Sequence, residues 1–107
     1  MGLDVWFEDE DGYPIFNRSI THNLNKMAAA AGLYSVLWRP EEINATQAKH
    51  ITKALAVGLV ELVSYPDKYK EYNPENGWGT YEGLVNFVME YLRACTANPE
   101  AEIHVSR

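Results

Sequence analysis

Leu3, Val5 and Phe7 alternate with Asp4, Trp6 and Glu8 near the start of the chain, the two-residue period of a strand with one buried face. Asp11-Gly12 interrupts the alternation and predicts a two-residue type I′ hairpin loop. In that register Phe7 faces Phe16 and Leu3 faces Ile20, so the apolar residues of both strands fall on one side. Arg18 is the exception, placed on the apolar face opposite Val5. Either the second strand is the sheet edge, where Pro14 is also tolerated because no neighbour needs its missing amide, or Arg18 sends a guanidinium toward a site. The edge reading accounts for both residues and is preferred.

After Ile20 the period changes to that of helices. Thr21 or Ser19 caps a first helix with Leu24, Met27, Ala28 and Ala31 on one face, and Gly32 followed by apolar Leu33 predicts a Schellman-type stop. Residues 34–38 read as extended or irregular, because Pro40 pushes Arg39 out of the helical region, yet the segment is too apolar for a free loop. A second helix, capped by Thr46, runs to about Ser64, where Pro66 stops it; Ile51, Ala54, Leu55, Gly58, Leu59 and Leu62 form its core face. Val57, Val60 and Val63 widen the apolar arc, so this helix is either central or meets another subunit.

A short helical turn is expected at residues 67–72. The third long helix starts at Thr80, carries Glu82 where the helix dipole favours negative charge, aligns Leu84, Phe87, Val88, Tyr91, Leu92 and Cys95, and ends near Ala97. Asn98-Pro99 breaks it, and Ile103 and Val105 alternate with Glu102, His104 and Ser106 in a last strand beside the N-terminal hairpin. The expected fold is α+β with two layers: a three-stranded antiparallel sheet, made of the hairpin and the C-terminal strand, packed against three main helices.

Composition narrows the function classes. A chain of 107 residues fits a single domain, 1–107, and its 47% hydrophobic and 22% charged residues argue against disorder. A net charge of -6 disfavours direct nucleic-acid binding, because phosphates call for a basic stripe. No apolar run approaches a membrane span, so no membrane contact is expected. The lone Cys95 has no internal disulfide partner, which points to a reducing, cytoplasmic setting and leaves the sequons at Asn17 and Asn44 without meaning.

The chain lacks the G-x-S-x-G, Walker-type, H-E-x-x-H and C-x-x-C patterns, so no catalytic residues and no cofactor are assigned and an enzyme is the less favoured class. His22, His50, His104 and Cys95 show no metal-ligand spacing. The run Glu8-Asp9-Glu10-Asp11-Gly12 has a calcium-loop flavour, but Phe7 and Arg18 occupy ligand positions, and a solvated hairpin tip is the simpler reading.

Three polar and aromatic clusters stand where plain helix connections would suffice. Thr21-His22-Asn23 is either a helix cap or an anion site with an acid–base histidine. Trp38-Arg39-Pro40 either fills the core edge, with Arg39 paired to Glu41 or Glu42, or offers a bidentate cation beside a stacking face. Asn76-Gly77-Trp78-Gly79-Thr80-Tyr81 is a tight loop pinned by an indole or a binding segment in which two glycines permit close approach of a ligand or another chain.

The residues Thr21-His22-Asn23-Leu24, Met27-Ala28, Ala31-Gly32-Leu33-Tyr34, Leu37-Trp38-Arg39-Pro40, Asn76-Gly77-Trp78-Gly79-x-Tyr81, Tyr91-Leu92-x-Ala94-Cys95 and Val105-Ser106-Arg107 form a spaced pattern. It resembles a small uncharacterised family of bacteriophage and bacterial proteins, over most of the chain from Thr21 onward. The resemblance implies no activity and no catalytic residues. A phage origin would imply the host cytoplasm and a host-directed binder or inhibitor.

The expected function is a binding protein with a pocket made by His22, Asn23, Trp38, Arg39, Asn76, Trp78 and Tyr81 for a small anionic or nucleotide-like ligand. The alternative is a protein-interaction module, either a homodimer or an acidic inhibitor of a host protein, acting through the second helix or the acidic hairpin tip.

Overall fold

Strand alternation at the N-terminus does form a sheet in the computed structural model, which describes residues 2–107. β1 (Gly2–Glu8) is the central strand of three, with β2 (Pro14–Thr21) on one side and β3 (Glu102–Ser106) on the other, all antiparallel. β2 is therefore an edge, as Pro14 and Arg18 suggested. Arg18 lies beside the Phe16 ring and pairs with Glu90 on a helix, with its charge at the rim of the apolar face.

The register joins Leu3 to Ile20 and Phe7 to Phe16, while the turn differs from the expected one. The loop closes with Gly12 N–H donating to the Asp9 carbonyl at 3.0 Å and Asp9 N–H to the Tyr13 carbonyl at 3.0 Å. It is thus a three-residue loop over residues 10–12, with Gly12 at φ 82, instead of the two-residue type I′ turn. Asp9 Oδ1 accepts from the Asp11 and Tyr13 amides, and this side-chain turn selects the longer loop. The extra residue would slip the register by one and turn Asn17 and Ser19 toward the core. A β-bulge prevents this: Glu8 pairs with Pro14 and Phe7 with Phe16, leaving Ile15 over.

Helices cover one face of the sheet. A 3₁₀ turn at His22–Leu24 leads into α1 (Asn25–Ala30), and Gly32 at φ 78 ends it. The Gly32 amide donates to the Ala29 carbonyl and the Leu33 amide to that of Ala28, the paired bonds of the Schellman stop. Residues 34–38, expected to be extended, form α2 (Tyr34–Trp38) instead. Pro40 constrains only Arg39 (φ -136, ψ 52), so one helical turn fits before it and buries Val36, Leu37 and Trp38.

After the 3₁₀ turn Pro40–Ile43, a second one at Ala48–His50 precedes α3 (Thr52–Ser64). Gln47 is the N-cap of the turn at Ala48–His50, where His50 Nδ1 accepts from the Gln47 amide at 3.1 Å, and α3 itself starts after Ile51, so Thr46 does not cap it. α4 (Pro66–Lys70) is the expected short turn, and α5 (Tyr81–Ala97) the long helix. α5 packs on both β2 and α3.

Tyr91 is the joint between the layers. Its ring stacks on Phe16 at 5.8 Å and meets Phe7 at 5.7 Å and Phe87 edge-on at 5.9 Å. Its hydroxyl is buried with no hydrogen-bond partner among the described residues, and burial pushes the phenol pKa well above its ordinary value. Val57, Val60 and Val63 are exposed, so α3 is not central; Ile51, Leu55, Gly58 and Leu62 alone form its buried face.

A Cβ on Gly58 would overlap the Leu33 side chain, which is fully buried. Gly58→Ala is therefore expected to destabilise the protein by about 1–3 kcal/mol in spite of alanine's better helix propensity. Urea unfolding measures it, and unchanged or raised stability would show that Leu33 does not press on α3.

Candidate functional site

His22 reaches its position through the end of β2. Thr21 leaves the strand with extended backbone (φ -70, ψ 144), and its hydroxyl accepts from the Asn23 amide at 3.3 Å, starting the 3₁₀ turn on which His22 and Asn23 stand. The His22 ring is then held from behind. Trp38 Nε1 donates to His22 Nδ1 at 2.9 Å, which places the proton of the neutral imidazole on Nε2 and leaves that N–H as a donor. Tyr34 stacks on Trp38, with centroids 5.8 Å apart and planes at 6°. Trp38 itself is buried, so it supports the histidine and offers no open face.

The loop before α5 is pinned at both ends. Asn73 Oδ1 accepts from the Tyr81 amide at 2.8 Å, Thr80 Oγ1 caps α5 by accepting from Gly83 N–H at 3.0 Å, and the Tyr81 hydroxyl donates to the Leu62 carbonyl at 2.7 Å. Within it, Asn76 Oδ1 accepts from the Trp78 amide at 2.9 Å. Gly79 adopts φ 107, and a Cβ there would come within 2.8 Å of Thr21 Cγ2 and 3.0 Å of Leu24 Cγ. Only glycine lets the loop backbone come this close to the start of the first helix.

The result is an open cleft of about 510 Å³ lined by Thr21, His22, Asn23, Asn76 and Trp78. Four of the seven residues picked out from the sequence therefore meet: His22, Asn23, Asn76 and Trp78. Trp38 stands one hydrogen bond behind them. Arg39 and Tyr81 do not line the cleft. Arg39 keeps company with Tyr34, whose hydroxyl is the main influence raising the guanidinium pKa; Tyr81 is buried and acts as a strut between α5 and α3. No lysine or arginine is among the lining residues.

The chemistry available follows from these groups. Trp78 is 71% exposed and presents an indole face to solvent. Asn23 carries a side-chain amide, Asn76 keeps its amide NH₂ because its oxygen is used internally, and His22 adds a donor. That is a hydrogen-bonding rim beside a stacking surface. Elsewhere, burial pushes the Cys95 thiol up to about 12, so it is inert as a nucleophile at neutral pH. His50 is consumed in capping, and among the described residues no three His, Cys, Asp or Glu side chains are grouped to hold a metal ion.

Thr21, read from the sequence as part of a cap or anion site and left out of the expected pocket, also lines the cleft. Its methyl contact with Gly79 had a trace in the sequence, since a Gly-Trp-Gly loop signals close approach, but nothing named the partner. No protein-family model, no curated protein and no solved structure matches this chain.

His22→Phe would leave the buried Trp38 indole N–H without its acceptor. It is expected to cost about 1–3 kcal/mol and to move the Trp38 indole resonance in a proton–nitrogen spectrum. A shift confined to residues other than Trp38, with stability unchanged, would show that the bond is not made.

Proposed function

We propose that this protein is a non-catalytic binding module whose cleft takes the flat, polar ring of a nucleobase-like ligand. The observation that carries the reading is Trp78: a tryptophan 71% exposed, held by an Asx turn on Asn76, at the rim of a cleft whose opposite side, Thr21, His22 and Asn23, comes from a distant part of the chain. An exposed indole contributes little to folding, whereas stacking on a base is worth about 1–3 kcal/mol. Asn23, Asn76 and His22 Nε2–H supply the donors and acceptors that read a ring edge. With no cation lining the cleft, the phosphate of a nucleotide would extend into solvent, and the nucleoside moiety is the part recognised. The buried, unreactive Cys95 suits a cytoplasmic setting.

A second reading, a surface for another protein, is supported by the exposed Val57, Val60 and Val63 on α3. The two separate in one experiment. Titrating nucleosides should quench Trp78 fluorescence and, at about 100 times the dissociation constant, stabilise the native state by about 2.7 kcal/mol. Trp78→Ala should abolish both effects. If no nucleoside or free base changes fluorescence or melting at millimolar concentration, the ring-binding reading is wrong.

A further inference from the structure

A larger concavity than the cleft lies elsewhere and shares no lining residue with it. It is a groove of about 1070 Å³ that runs from the hairpin tip past β3 to the segment around Pro40 and Gln47. Its apolar surface comes from Ile15, Pro40, Ala45, Ile103 and Val105. Its charged lining is all of one sign: Glu8, Asp9, Glu10, Glu41, Glu100 and Glu102 line it, and no lysine or arginine does.

The two ends of this lining are already matched by the chain's own cations. Arg107 places its guanidinium 2.5 Å from Glu41 and 2.8 Å from the Trp38 carbonyl, and Lys49 sits 3.1 Å from Glu100. Between those ends, Glu8, Asp9, Glu10 and Glu102 form no ion pair with a lysine or arginine among the described residues. Among the described residues, the basic side chain beside them is the His104 imidazole, 3.4 Å from Glu8 and 3.1 Å from Glu102 and stacked on Trp6. Such an excess of carboxylates around an apolar floor costs self-repulsion, and a cationic occupant relieves it. Arginine fits both parts, because its aliphatic stem covers apolar surface while its fork pairs with carboxylates. Arg107 on Glu41 and the Trp38 carbonyl is an example within the same fold.

We propose that this groove is the docking site for an extended, arginine-bearing peptide segment of another protein. The groove between the hairpin tip and Pro40 accommodates alternating apolar and arginine side chains, the apolar ones on Ile103, Val105 and Ala45 and the guanidinium groups on Glu8, Glu10 and Glu102. This site is independent of the ring-binding cleft. Binding to one leaves the other free.

The probe is a capped peptide of alternating arginine and valine, about ten residues long, titrated at low salt by fluorescence anisotropy and by proton–nitrogen spectra. Amide shifts should map to residues 45–47 and 101–105. Glu10→Lys with Glu102→Lys should weaken binding about tenfold or more, and raising salt from about 0.05 to about 0.5 M should do likewise. The same charge change outside the groove, Glu71→Lys with Glu75→Lys, should have less than about threefold effect, and Trp78→Ala none. These substitutions are at exposed positions, and melting curves confirm that each variant is folded. The proposal is overturned if the peptide does not bind, if a glutamate–valine peptide binds as well, if the two charge reversals weaken binding equally, or if the shifts map outside the groove.

Discussion

The close approach of Gly79 to Thr21 and Leu24 is the contact on which the candidate site depends. The site is made from two stretches of chain separated by most of the helical layer, and neither has a cleft by itself. They meet because a backbone without a Cβ fits where 2.8 Å is all that separates the hypothetical atom from a threonine methyl. The restraints on either side exist to hold that contact: Asn73 and Thr80 fix the loop backbone, and Tyr81 ties the next helix to Leu62. Trp38 does the same for His22. The side chains that face solvent in the cleft are thus few, and two of those that position them, Trp38 and Tyr81, are buried.

The sheet shows the same economy of restraint. A longer loop at the hairpin tip, selected by Asp9, would expose the core face of β2, and the bulge at Ile15 restores it. That pair of irregularities aims Phe16 at Tyr91, and Tyr91 is where α5 meets both outer and central strands. The core tolerates an unpartnered hydroxyl there because three aromatic neighbours hold the ring.

Much of this was legible. Period-two alternation, the Gly32 stop, the Pro66 break and the Asn98-Pro99 break each act locally, so strands and helix ends followed from them, and the hairpin pairing followed from matching apolar sets, whereas the order that puts β1 between β2 and β3 did not. The hairpin register was read correctly even though the turn was not, because burial of one face decides register and the turn adapts to it. What failed was the range of influence assigned to particular residues. Pro40 restricts one neighbour and not five, so residues 34–38 were free to form α2. Thr46 looked like a cap because side-chain identity says nothing of the reciprocal bond between Gln47 and His50. For the site, unusual composition marked His22, Asn23, Asn76 and Trp78, but composition does not give direction. Arg39 turns to Tyr34 and Tyr81 to Leu62, and both orientations depend on tertiary neighbours. The acidic groove stayed hidden because Glu8–Asp9–Glu10 and Glu100 with Glu102 become one surface only when β3 pairs with β1.

Two proposed recognition surfaces of different chemistry thus sit on one small α+β scaffold, and the first stands or falls with the Gly79 contact. Nuclear Overhauser spectroscopy of the free protein tests it most directly. Strong cross-peaks from the Gly79 α-protons to the Thr21 γ-methyl and the Leu24 methyl groups are the expected result. Gly79 α-protons that see only their sequence neighbours would contradict it, because without that contact the two halves of the cleft are not held together.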